Sequence, residues 1–286
     1  MRARPAAALF ALAAAAWVPT GLGRAQSDTL AGWQVTAGAD AGAPGGWVAV
    51  RENAITGTRL YLANGLGVRH VFDYTLGIAR RLGARTRLDV NLAGASLEGT
   101  ATPAHDVFFN GATLEAGAPL RTATGPSHFL TGSVAVDRRL VAIGPGWLWL
   151  RGGITFTGLT FVLHGTPAPT SAHHETQEDF VTQELPVPLG GVTVRLPVAR
   201  RTAVFADVEG SGIPRVNSLR REGGEVTLRQ SSARLTGGLD YRVTRAVRLA
   251  LAYRVATFAQ HEQSAEDGND IVLRQRAVSM RLRLEW

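Results

Sequence analysis

The sequence predicts an all-β protein: an up-and-down antiparallel barrel of about ten strands, with eight or twelve strands as alternatives. Three observations support this fold class. Apolar and polar residues alternate in one segment after another, no helical periodicity of useful length follows residue 26, and short connections alternate with long polar ones. A period of two places apolar side chains on one face of a strand and polar side chains on the other.

The alternation is clearest in the last nine residues, VSMRLRLEW (278–286), where every second residue is apolar. The segments VRLALAYRV (247–255) and ARLTGGLDYRV (233–243) repeat the pattern. Ten strands are predicted in this way, at 32–41, 69–80, 86–98, 128–138, 147–163, 184–198, 202–212, 226–242, 247–261 and 270–285.

The connections between these strands fall into two classes. The short ones are 80–85, 137–146, 199–202 and 242–246, and the long ones are 96–127, 164–184, 211–225 and 260–270. Segment 42–68 fits least well, and a loop, a hairpin and two further strands all remain open for it. Two stretches, 109–120 and 178–191, are too apolar for free loops, and we expect them to form hairpins above a membrane or over the barrel mouth.

The first residues predict a secretory signal peptide over 1–25, followed by one domain over 26–286. MRAR is a basic start, and PAAALFALAAAAWVP is an apolar run too short to span a bilayer. Cleavage would remove three arginines and lower the formal net charge from +7 to +4. Such a small charge does not indicate nucleic acid as a partner. The chain has no Cys and no phosphate-binding glycine motif, and we predict neither a metal nor a cofactor.

The same alternation fits two kinds of protein, and the strand lengths separate them. A soluble periplasmic β-sandwich turns its apolar faces inward, whereas a membrane barrel turns them toward lipid. Strands of about ten residues or more suit a tilted membrane crossing and are long for a sandwich. The export signal, the alternating loop lengths and aromatic residues near strand ends favour the barrel; these aromatics are Trp147, Tyr241, Tyr253 and Trp286.

On these features the chain resembles Gram-negative outer-membrane β-barrel proteins, with no subfamily identified. The resemblance implies a location in the bacterial outer membrane, long extracellular loops and a monomer in contact with membrane lipid and lipopolysaccharide. It also implies that the barrel-assembly machinery reads the last strand, through Met280, Leu282, Leu284 and Trp286. Met280 stands where the family often has an aromatic residue.

A barrel of this kind would turn its polar strand faces toward the lumen. The lumen charges predicted from the alternation are Arg87, Asp89, Asp137, Arg151, Arg195, Asp207, Glu209, Arg234, Asp240, Arg242, Arg248, Arg254, Arg281, Arg283 and Glu285. Because burying a lone charge is costly, we expect these residues to pair. The pairs would either plug the barrel or line a narrow, charged pore.

Two stretches that combine His with acids, HHETQEDF (173–180) and HEQSAEDGND (261–270), are candidates for catalysis. The candidate residues are His173, His174, Glu175, His261 and Ser264. They are similar in kind to the Asp and His of the omptin proteases and the His and Ser of lipid A deacylases, although the spacing in HEQS departs from the tighter one expected. Polar, solvated loops would have the same composition.

The function predicted from the sequence is that of an integral outer-membrane protein with a structural or surface-interaction role, or with narrow channel activity. The alternative is an outer-membrane hydrolase with a His/acid site at the extracellular rim. The non-enzymatic function is favoured because no catalytic motif stands out.

Overall fold

The computed structural model describes residues 32–52, 56–123, 129–169, 171, 177–182, 185–217, 225–265 and 267–286, with the backbone alone for 123, 177–182 and 267. The leader predicted at 1–25 lies outside these residues. The described chain forms fifteen strands: β1 (Trp33–Glu52), β2 (Leu60–Tyr61), β3 (Val71–Arg81), β4 (Thr86–Ala101), β5 (Val107–Phe109), β6 (Ala112–Leu114), β7 (Leu120–Ala123), β8 (Phe129–Ile143), β9 (Gly146–His164), β10 (Gln177–Thr182), β11 (Val187–Pro197), β12 (Thr202–Asn217), β13 (Thr227–Arg242), β14 (Val247–Gln263) and β15 (Asp267–Glu285).

Ten of these strands close into a barrel in which all neighbours are antiparallel. The order around the wall is β1, β3, β4, β8, β9, β11, β12, β13, β14 and β15, and β15 pairs with β1 to complete the ring. Closure leaves no unpaired edge, which is the condition for a sheet to span lipid. The predicted fold class is confirmed, and the strand number is ten. No helix in the described ranges is long and apolar enough to cross a membrane.

The connections divide the barrel into two ends. At the turn end, 82–85, 144–145, 198–201 and 243–246 join neighbouring strands; at the loop end, longer segments carry the short strands β2, β5, β6, β7 and β10. Segment 42–68 continues β1 to Glu52 and then adds β2. The prediction of a long loop at 260–270 is wrong. Strand β14 continues to Gln263 and β15 begins at Asp267, so only three residues connect them.

The outer surface of the wall is apolar and the inner surface is polar. On β15, Met280 is 56% exposed while its neighbour Ser279 is completely buried, and the same alternation runs through the other barrel strands. Soluble monomers rarely expose a continuous apolar belt of this extent. A β-sandwich would have the opposite arrangement, so the architecture is that of a membrane barrel.

One outward-facing aromatic residue packs on a glycine of the neighbouring strand. Tyr74 of β3 pairs with Gly94 of β4, and a Cβ at Gly94 would meet the tyrosine ring. Gly132 lies on the same outer surface of the adjacent strand β8, and a Cβ there would meet nothing within 4 Å. The two glycines therefore form a matched pair for testing this contact.

We expect Gly94→Ala to destabilise the barrel by on the order of 1 kcal/mol, because the Tyr74 ring must leave its rotamer. Gly132→Ala should have a smaller effect. Urea unfolding in detergent, followed by the heat-modifiable migration of the folded barrel on a gel, measures both. Equal midpoints for the two variants would contradict the packing described.

Candidate functional site

The lumen contains three groups of ion pairs, two toward the turn end and one near the middle of the barrel. The first is centred on Arg151 of β9, whose Nε lies 2.8 Å from Asp137 Oδ1 and whose Nη atoms lie 3.1 Å from Asp89 and from Glu209. Arg87 also binds Asp137, at 2.8 Å, and Arg234 binds Glu209, at 2.6 Å. This group links strands that are not neighbours in the wall.

The second group is centred on a single carboxylate, Asp240 of β13, which is 2% exposed. It receives Arg195 at 2.9 Å, Arg283 at 3.1 Å and Arg248 at 3.5 Å. Arg248 in turn binds Glu285 at 2.8 Å. Three guanidinium groups around one acid make that acid the electrostatic centre of the turn end.

The third group lies near the middle of the barrel, around Arg254 of β14. Its Nη1 lies 2.7 Å from Asp40, and its Nη2 contacts Asp73 and lies 2.6 Å from the amide oxygen of Gln275. Asp40 is not among the lumen charges predicted from the sequence, because its neighbours Ala39 and Ala41 give little apolar contrast. Its position in the alternation, in the strand predicted at 32–41, was the available signal.

Every barrel strand supplies a member of these groups, so the ion pairs connect the wall across its interior. The contributors, one for each strand, are Asp40, Asp73, Asp89, Asp137, Arg151, Arg195, Glu209, Asp240, Arg254 and Arg283. Of the remaining predicted lumen charges, Asp207 accepts a hydrogen bond from the Thr193 hydroxyl at 2.6 Å. Arg242 and Arg281 occupy inward positions in β13 and β15.

Arginine side chains stacked on tryptophan rings occupy the lumen nearer the turn end. Arg139 lies between two tryptophans, 4.7 Å from the ring centre of Trp147 and 4.8 Å from that of Trp149, and Arg87 lies 5.1 Å from Trp149. Trp147 shares the inward register of Trp149 and Arg151 on β9. The girdle position predicted for Trp147 is therefore corrected: it faces the lumen, whereas Tyr241, Tyr253 and Trp286 are exposed on the outer surface.

The loop end is closed by a different kind of contact, which we call the apolar roof. Inward side chains at the ends of the strands pack against buried loop residues; the roof comprises Val48, Val50, Leu60, Leu62, Leu66, Val68, Val71, Leu97, Val107, Phe109, Leu114, Leu120, Leu159, Phe161, Leu163, Phe258 and Ile271. The hairpin of β5 and β6 contributes Phe109, whose ring lies 6.2 Å from that of Phe161. The apolar stretch at 109–120 thus folds over the barrel mouth, as expected.

The candidate catalytic residues are only partly within the described chain. His173, His174 and Glu175 lie outside it. His261 of β14 pairs with Asp270 of β15, with 2.5 Å between Nδ1 and Oδ1, and both side chains are nearly half exposed. The neighbouring Gln260 is buried in the lumen, so His261 points away from the barrel axis. At Ser264 the backbone carbonyl accepts a hydrogen bond from Arg51.

The residues predicted as an assembly signal lie on the outer surface of β15, which also closes the barrel, and at Trp286 directly after it. Met280, Leu282, Leu284 and Trp286 are all exposed there. The backbones of Trp286 and Trp33 exchange hydrogen bonds of 2.8 and 3.1 Å, so the last strand ends beside the first. Their role in recognition by the assembly machinery remains a prediction.

The comparisons with known proteins concern the fold. No protein-family model and no curated protein match the chain. The structure is similar to the outer-membrane protease OmpT of Escherichia coli, with a TM-score of 0.47, 11% identity and coverage of 88% of this chain and 97% of that one. It is also similar to the translocator domain of the autotransporter NalP of Neisseria meningitidis (0.41, 11%, 91% and 90%) and to the outer-membrane protein OprG of Pseudomonas aeruginosa (0.34, 7%, 90% and 98%).

OmpT and OprG are outer-membrane proteins by name, and NalP is an autotransporter. Each likeness concerns the barrel fold only and assigns no activity to this chain.

Proposed function

We propose that this protein is an integral outer-membrane barrel with a structural, surface-exposed role, and that its lumen is closed to ions. The observation that carries the proposal is the filling of the interior from both ends. Ion pairs from all ten strands cross the lumen between its turn end and its middle, and the apolar roof covers the loop end. A barrel of eight strands has an interior just wide enough for its own side chains, and two further strands add little room.

The filling also favours the structural role over the narrow channel. A conducting path needs polar groups that water and ions reach, and ions must be able to leave each binding position. Here the acids at the centre of the groups are held by arginines: Asp137 by two and Asp240 by three. Beyond them, an ion would have to cross the apolar roof at a large desolvation cost.

Reconstitution into planar lipid bilayers tests the closed lumen. We expect no stepwise conductance from the folded protein at moderate voltage, under conditions in which an open porin conducts. Heat-modifiable migration of the reconstituted sample provides the control for folding. Regular single-channel steps that persist after purification of the folded form would overturn the proposal in favour of the narrow channel.

The alternative, a hydrolase at the rim, has one supporting observation: the contact between His261 and Asp270. A His held by a carboxylate is a common arrangement for a general base. Because this pair faces away from the lumen, it would have to act on a substrate outside the wall. The pair justifies a test for hydrolase activity, and the structural role with a closed lumen remains the proposed function.

We expect the folded protein to show neither peptidase nor lipid A deacylase activity. The His261→Ala variant should fold as the unaltered protein does. His105→Ala, in the loop before β5, is the matched control. A hydrolase activity that His261→Ala abolishes and His105→Ala leaves intact would establish the alternative.

A further inference from the structure

A cavity of about 180 Å³ lies in the lumen between the ion pairs around Arg254 and the apolar roof. Its wall is built largely from small inward residues, including Ala95, Thr131, Thr155 and Ser232. Small side chains on several strands at one level leave a space that larger ones would fill. The cavity thus results from the small residues that the sequence places at this level of the barrel.

The two sides of this cavity differ in chemistry. Toward the loop end it is lined by Phe129, Leu189, Phe258 and Leu273, and the two phenylalanine rings meet edge to face with centres 6.3 Å apart. Toward the turn end it is lined by charged and amide side chains: Asp73, Glu209, Arg234, Arg254 and Gln275. A molecule that fits both sides has an apolar part and a polar part.

The polar side offers hydrogen-bond donors and one acceptor, Oδ1 of Asp73, which has no hydrogen-bond partner among the described residues. Arg254 is 7% exposed and gives its two terminal nitrogens to Asp40, Asp73 and Gln275, while its Nε has no hydrogen-bond partner among the described residues. The Nε of Arg234 is also buried without a hydrogen-bond partner among the described residues. A buried donor without an acceptor costs free energy, so an acceptor atom placed here would be stabilised.

The charges around the cavity select against ionic ligands. Arg254 faces Asp40 and Asp73, and Arg234 faces Glu209. Arg281, in an inward position of β15, adds a second positive charge near Asp40, so the arginines and acids around the cavity are equal in number. An added anion or cation would have no counter-charge and would bear the full cost of desolvation. The polar part of the ligand should therefore be neutral: a hydroxyl or a carbonyl group.

The size of the cavity limits the apolar part. An apolar protein cavity of about 150 Å³ holds benzene. From these observations we propose that the lumen contains a binding site for one neutral, ring-sized molecule that carries a hydroxyl or carbonyl group. The ring lies against Phe129 and Phe258, and the oxygen lies toward Arg254 and Arg234. This site is independent of whether the barrel conducts ions.

Fluorine NMR of 4-fluorophenol, with the folded protein in lipid nanodiscs, tests the site. We expect a distinct bound signal that saturates at one molecule per barrel and that is absent in empty nanodiscs. Fluorobenzene, which has the ring without the oxygen, and 4-fluorobenzoate, which is an anion of similar size, should each bind at least about tenfold more weakly. No saturable signal for 4-fluorophenol, or equal or tighter binding of either comparison probe, would overturn the proposal.

Two variants locate the bound probe. Ala256→Leu fills the cavity from β14, and we expect it to lose the bound signal while keeping heat-modifiable migration. Ala39→Leu adds the same atoms on the outer surface of β1 and should bind as the unaltered protein does. If Ala256→Leu does not fold, Ser232→Val, which removes a lining hydroxyl from β13, provides the second measurement and should weaken binding. Retention of the full signal in a folded cavity variant would place the probe elsewhere and refute the site.

Discussion

Asp240→Asn should be the most damaging single change to the folded barrel, lowering the free energy of unfolding by about 3–5 kcal/mol. The substitution keeps the shape of the side chain and removes its charge. It would leave Arg195, Arg248 and Arg283 close together without the carboxylate charge that all three share. Uncompensated buried charge is among the few single-residue causes of so large an effect.

Urea titration in detergent, followed by the fluorescence of the tryptophans, measures this difference. Asp270→Asn is the matched control, because it removes the same charge from an exposed pair with His261. Exposed pairs contribute up to about 1 kcal/mol, so that variant should unfold close to the unaltered protein. If the two variants unfold at the same urea concentration, the three-arginine cluster is not a major source of stability.

A charge on the outer surface should produce the second large effect. Leu251 of β14 is 57% exposed and lies between Leu239 and Met280 of the neighbouring strands. Near the bilayer midplane an arginine costs about 2–4 kcal/mol, and near the interface the cost falls to about 0–1 kcal/mol. We therefore expect Leu251→Arg to destabilise the barrel in lipid by an amount in the higher range.

Ala259→Arg is the control for position, since it lies on the same strand and the same face, eight residues nearer the loop end. Unfolding in lipid vesicles should separate the two variants by at least about 1 kcal/mol. A larger cost for Ala259→Arg than for Leu251→Arg would show that the membrane belt has been assigned to the wrong part of the wall.

The strands could be predicted from the sequence because alternation is a local property. In VSMRLRLEW each residue reports its own face, and neither the partner strand nor the lumen needs to be known. The partners of the charges are not local. Arg254 and Asp73 are 181 positions apart in the chain, and no spacing rule links them. The three groups of ion pairs therefore required the register of the whole barrel.

The errors at the loop end have a related cause. HEQSAEDGND has the composition of a loop, but β14 and β15 remain paired through it, from His261 with Asp270 to Gln263 with Gly268. Continued pairing fixes His261 on the outer surface, whereas a free loop would have left its direction open. Composition indicates exposure to water, and here the exposed segment is a strand that extends beyond the apolar belt.

The pairing of β1 with β15 has a consequence for the order of folding. Its nineteen paired positions join the two ends of the described chain, from Gln34 with Glu285 to Glu52 with Asp267. This seam is the contact of greatest sequence separation in the wall, and it cannot begin to form until the last strand has been synthesised. Until then β1 has one edge without a partner, and such an edge can pair with another copy. Formation of the seam is thus the step after which the sheet has no free edge to pair with another copy of the chain.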